Sequence, residues 1–105
     1  MTYADQTILK DLEFSKDGYM TDIDAWTPEI GEAIAIVFNI TLLERHWGIV
    51  NYSRKIYLQE EKNVSVRRLM RDLGIEYQDI FDLFPGLPVR TIAKIAGLPK
   101  PVGCV

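Results

Sequence analysis

The chain has 105 residues, 48% of them hydrophobic, and a formal net charge of −3. That is the length of one domain with enough apolar side chain for a core, which excludes a disordered chain. No run of 18 apolar residues is present to span a membrane, and the negative charge argues against nucleic acid as the main partner.

In chain order, the first 24 residues predict a small β element. Leu12-Glu13-Phe14 alternates apolar and polar, Asp17-Gly18 supplies a hairpin turn, and Tyr19-Met20 resumes. Thr27-Pro28 is a helix start, a capping residue followed by proline at the first helical position. Ile30, Ala33, Ile34, Val37 and Phe38 then follow helical spacing. Thr41-Leu42-Leu43-Glu44 has the form of a capping box and predicts a second helix from there to about Gln59. Its stripe of Leu43, Trp47, Val50 and Tyr57, flanked by Leu42, Ile49 and Ile56, is wide enough for a central, much-buried helix. Ser65 caps a short helix with Val66, Leu69, Met70 and Leu73, ended by Gly74. Another short helix turns Ile80, Leu83 and Phe84 inward and stops at Pro85. Pro88 opens a last helix through Val89, Ile92 and Ala96, closed by Gly97. The expectation is mainly α: a small orthogonal bundle of about five helices over residues 1–97, an N-terminal β-hairpin, and an extended arm over 98–105.

That arm reads Leu98-Pro99-Lys100-Pro101-Val102-Gly103-Cys104-Val105. Its prolines forbid helix and favour extended geometry, so eight residues could reach on the order of 20–25 Å. Cys104 is the chain's one cysteine, which excludes an internal disulfide and a multi-cysteine zinc site. The N-terminus has Asp5 and Asp11 and no apolar segment of the signal-peptide kind, so the cytoplasm is expected, where a thiol stays reduced. A thiolate at Cys104 could take a sulfane sulfur or form a mixed disulfide. The nearby Val105 carboxylate disfavours that thiolate and Lys100 favours it, so activation is expected from a partner's pocket.

Other candidate features read as structure. His46, the one histidine, adjoins Trp47 and is read as a packed residue. The pair of helices around Gly74 resembles a helix-turn-helix, with Arg67, Arg68 and Arg71 on the first. Its second helix would set Glu76, Asp79 and Asp82 against phosphates, so a DNA-binding regulator is only the third reading of function and packing of two short helices is favoured. Glu60-Glu61 and Asp79/Asp82 fit solvated surfaces, and no phosphate loop or nucleophilic serine motif occurs. No metal or cofactor is expected.

The segment from Lys94 to Val105, Lys-Ile-Ala-Gly-Leu-Pro-Lys-Pro-Val-Gly-Cys-Val, resembles the C-terminal signature of the DsrC/TusE family. Asp17-Gly18-Tyr19, Trp26, His46-Trp47, Leu83-Phe84-Pro85 and Pro88 extend the resemblance over nearly the whole chain. It implies a helical bundle with a C-terminal arm whose penultimate cysteine, Cys104, carries sulfur as a persulfide between donor and acceptor sulfurtransferases. It also implies partner-binding roles for Arg90, Lys94, Pro99, Lys100, Pro101 and Gly103. The destination it suggests is tRNA 2-thiouridine synthesis, with tRNA met only indirectly. The alternative is a partner or regulator of a dissimilatory sulfite reductase, acting through a mixed disulfide. DsrC proper has a second cysteine eleven positions upstream of the terminal one, and this chain has Ala93 there. Single-cysteine, TusE-type members are therefore the nearer comparison. Leu87-Pro88 stands where the family usually has Gly-Pro, Arg90 where lysine is usual, and the Met70–Leu83 segment is shorter.

Overall fold

The computed structural model describes residues 7–102, and all structural statements concern these. The elements are a 3-10 turn at Thr7–Leu9, another at Ile23–Ala25, then α1 (Pro28–Val37), α2 (Glu44–Glu60), α3 (Val66–Leu73), α4 (Tyr77–Leu83) and α5 (Pro88–Ile95). The five expected helices are present. Thr27 caps α1 by accepting from the Ile30 amide, with Pro28 at its first turn. Just past α1 and its cap Phe38, Asn39 takes the left-handed region; its amide donates to Ile36 O and that of Ile40 to Ala35 O. Ser65 caps α3 through the Arg68 amide, and Gly74 closes it at φ 66°.

Two expectations are corrected. The N-terminal hairpin does not form strands among the described residues. One isolated antiparallel bridge, Phe14 to Met20, closes a turn in which the Gly18 amide donates to Ser15 O. A single bridge is too short to be a ladder, and the apolar side chains here act as separate plugs: Tyr19 and Met20 are both buried in the helical core. α2 starts two residues later than the expected box, with its cap at Leu43 in place of Thr41 and its first residue at Glu44. Thr41 does not cap it. Instead the His46 Nδ1, one turn inside, accepts from the Leu43 amide at 3.1 Å. Leu43 is consequently exposed, and the buried face of α2 is His46, Ile49, Val50, Ser53 and Ile56. Ser53 is tolerated in that core because its hydroxyl donates to Ile49 O at 2.8 Å.

The most enclosed helix is α5, which packs on both α1 and α2. Six of its eight residues are buried, and the two that are not are Arg90 and Lys94. Their i, i+4 spacing sets both on one outward stripe. Phe84, Ile34, Leu69, Ile80, Ile92, Ile95 and Leu98 fill the centre. No helix among the described residues is long and apolar enough to cross a membrane.

Candidate functional site at the root of the C-terminal arm

An α-helix leaves its last carbonyls without intrahelical donors. At the end of α5 each of these is answered. The Gly97 amide donates to Lys94 O at 3.2 Å and the Leu98 amide to Ala93 O at 2.9 Å, a Schellman turn with Gly97 at φ 68°. Trp26 Nε1 donates to Ile95 O at 2.8 Å. Arg54 lies 4.3 Å from the Trp26 ring centroid and donates through Nη1 to Ala96 O at 2.7 Å and through Nη2 to Ile23 O at 3.2 Å. Burial pulls the Arg54 pKa down, with Asp24 opposing, but an arginine starts so high that it stays charged. A cation at the negative end of the α5 dipole is favourably placed. Leu98, fully buried, nails the start of the arm to the core.

The arm then stays on the body through Pro101. The Asn63 Nδ2 donates to Pro99 O at 3.1 Å, Lys100 Nζ pairs with Asp17 at 3.1 Å, and Pro101 is buried. Val102 is 95% exposed. Gly103 and Cys104 lie outside the described residues. Pro99, Lys100, Pro101 and Val102 border one depression with Tyr57, Glu61, Lys62 and Asn63. Lys100 also reaches a second cleft of about 420 Å³, whose walls include Arg90, Lys94, Tyr19 and Phe38. The three cations singled out in the sequence, Arg90, Lys94 and Lys100, thus share one cleft. Lys94 Nζ sits 5.1 Å from the Tyr19 ring centroid and 5.6 Å from that of Phe38. Burial raises the Tyr19 pKa, partly offset by Arg90 and Lys100.

From the sequence, Trp26 stands out only through the family resemblance, and Asp17 through that resemblance and as a turn residue; neither they nor Arg54 and Asn63 are marked as parts of the arm's seat. Nothing local to Arg54 or Asn63 marks them, because their partners lie 31 to 42 residues away.

His46 has both ring nitrogens committed. Nδ1 accepts from Leu43, so Nε2 carries the proton and donates to Leu83 O at 3.0 Å, tying α2 to the end of α4. Its ring meets Phe84 edge-on at 5.2 Å. Burial, the dominant cause, pulls its pKa below the usual 6.5. The folded state therefore binds fewer protons than the unfolded one as pH falls through and below 6.5. Stability from this residue is full above 6.5 and declines on acidification. Urea midpoints measured downward from pH 7.5 should fall across this window, and His46→Gln should flatten that part of the profile.

The arginines of α3 are largely occupied. Arg68 makes a bidentate pair with Glu60 at 2.7 and 2.6 Å and reaches Asp72 at 3.2 Å, Arg71 donates to Asp72 at 2.9 Å, and the Tyr52 hydroxyl also donates to Asp72. With Asp79 and Asp82 on α4, this face is charge-balanced, unlike a groove-reading surface.

Comparison with known proteins agrees with this architecture. Residues 6–105 match the family model described as DsrC-like protein. The sulfurtransferase TusE of Sodalis glossinidius is 37% identical over 102 residues, covering 89% of this chain and 94% of that protein. The NMR structure of Allochromatium vinosum DsrC superposes with a TM-score of 0.78 at 31% identity, covering 90% of each chain. The crystal structure of the oxidised gamma-subunit of the dissimilatory sulfite reductase (DsrC) from Archaeoglobus fulgidus gives 0.75 at 35% identity, over 90% of this chain and 92% of that one. The helical fold is therefore shared with these DsrC structures, and the chain belongs to the DsrC-like protein family.

Proposed function

We propose that this chain is a sulfur-relay protein of the cytoplasm, carrying sulfane sulfur as a persulfide on Cys104 between donor and acceptor proteins. The observation that carries the reading is the arm. It is held to the core through Pro101, and Val102, two residues before the chain's one cysteine, is exposed. A root held to the core leaves little chain to be ordered when a thiol a few residues further on enters another protein's pocket, which lowers the entropic cost. The sulfurtransferase name of the TusE relative supports the same chemistry.

In the loading step the Cys104 thiolate attacks the outer sulfur of a donor persulfide. A new sulfur–sulfur bond forms at Cys104, the donor's sulfur–sulfur bond breaks, and the donor leaves as a thiolate. The sulfane sulfur keeps its oxidation state, so no external oxidant is used. Unloading repeats the exchange with Cys104 as leaving thiolate. Arg90, Lys94 and Lys100 would steer the partner, Pro99 and Pro101 stiffen the approach, and Gly103 gives the backbone freedom beside the thiol. With Ala93 where DsrC has its second cysteine, no internal thiol competes for the sulfur. The destination implied by the TusE resemblance is tRNA 2-thiouridine synthesis.

Radiolabelled sulfane sulfur loaded on the purified chain should pass to an added acceptor sulfurtransferase, and Cys104→Ser should neither take nor pass it. An acceptor labelled equally fast by the donor with this chain omitted would exclude a relay. The similarity to a gamma-subunit of dissimilatory sulfite reductase favours a second reading, a mixed-disulfide partner of that enzyme. Co-purification with a sulfite reductase through a reducible bond to Cys104, with no persulfide stage, would select it.

A further inference from the structure

The cleft between α5 and the turn at Asp17 is rich in donors. Arg90 and Lys94 on α5, Lys100 on the arm, and the side chains of Thr91 and Tyr19 line it, and among the described residues Asp17 is the one carboxylate in its walls. That carboxylate is already engaged with Lys100. Neither Arg90 nor Lys94 pairs with a carboxylate among the described residues, and Lys94 is held instead against the faces of Tyr19 and Phe38. In a chain of net charge −3, two such cations in one cleft are a local reversal of sign. The Asp17–Lys100 pair is itself weakly held. Both side chains are about half exposed, 53% and 54%, and such pairs contribute little and exchange readily. It nevertheless joins the arm to a turn 83 residues earlier, beside the two unpaired cations.

We infer that this cleft is the docking site for an acidic segment of the relay partner. A partner carboxylate, seated between Arg90 and Lys94, takes Lys100 from Asp17 and loosens the arm around Lys100, while Leu98 and the Gly97 turn stay fixed in the core. Asp17 is thus an internal stand-in for the partner, and this local release is coupled to arrival of the protein that will use the arm. This rests on the relay reading but not on the sulfur chemistry, so the two can fail separately. The α3 arginines do not offer an equivalent site, because Arg68 and Arg71 are already paired with Glu60 and Asp72.

The test uses the full chain with Cys104→Ser, which silences sulfur exchange, and a hexaglutamate peptide as probe in an NMR titration at about 0.15 M salt. Saturable shifts are expected at Tyr19, Arg90, Thr91, Lys94 and Lys100. Arg90→Gln with Lys94→Gln should weaken binding roughly tenfold, and Arg67→Gln should not. Asp17→Asn, without peptide, should move the Lys100 and Val102 signals toward their peptide-bound positions. Shifts centred on Arg67 and Arg71, or affinity unchanged in the double variant, would overturn the docking site. Binding with Lys100 and Val102 unmoved, or an inert Asp17→Asn, would overturn the release. Inorganic phosphate binding the same residues as tightly as the peptide would make this a small-oxyanion site and overturn the acidic-partner assignment.

Discussion

Gly97→Ala is expected to lower stability by about 3 kcal/mol, a drop in Tm of roughly 10–20 °C for a domain of this size. Two effects add. The residue sits at φ 68°, where an L side chain costs about 1 kcal/mol or more. A methyl there would also lie 2.4 Å from Trp26 Cδ1 and 2.7 Å from Cγ, a clash with a ring fixed by its bond to Ile95 O. Gly74→Ala separates the two effects. It has nearly the same backbone, φ 66°, but open space around the added methyl, so it should lose only about 1 kcal/mol. Equal losses from the two variants, measured by thermal or urea unfolding, would show that the packing of Trp26 on Gly97 is not what holds the arm's root.

Arg54→Met should cost about 2–3 kcal/mol. It keeps the volume and removes the donors to Ala96 O and Ile23 O together with the stack on Trp26. The Ala96 carbonyl, at the end of α5, would lose its charged donor. Arg54→Lys keeps the charge but not the planar fork that bridges two carbonyls while stacking, so it should recover only part of the loss. Full recovery by lysine would mean that charge at the helix end, rather than the bridge, is what matters. Amide exchange at Gly97 and Leu98 should quicken in the methionine variant, since these two amides close the same turn.

The helices were legible because their ends are written in local chemistry. Thr27-Pro28, Ser65 and the Gly74 and Gly97 stops each act on a neighbouring amide or torsion, which sequence spacing exposes directly. The α2 start was misread because the cap is a histidine from inside the helix, and Leu43 was counted as core for the same reason. The hairpin failed because alternation over three residues cannot tell a strand from side chains plugging a helical core. At the arm, the composition of the tail and its three nearby cations were readable, and the structure gathers Arg90, Lys94 and Lys100 around one cleft. Their setting was not readable, since Asp17, Arg54 and Asn63 reach the arm and its root from 36 to 83 residues away. α5, rather than α2, is the most enclosed helix, since it packs on both α1 and α2; an eight-residue segment is too short for its stripe to stand out in the sequence.

Sulfur carriage by Cys104 is tested most directly by intact-protein mass spectrometry after incubation with a persulfide donor and removal of excess reagent. The wild-type chain should gain the mass of one sulfur atom, lose it on treatment with dithiothreitol, and show none after Cys104→Ser. A wild-type chain that gains nothing, or a serine variant that gains the same mass, would contradict the account.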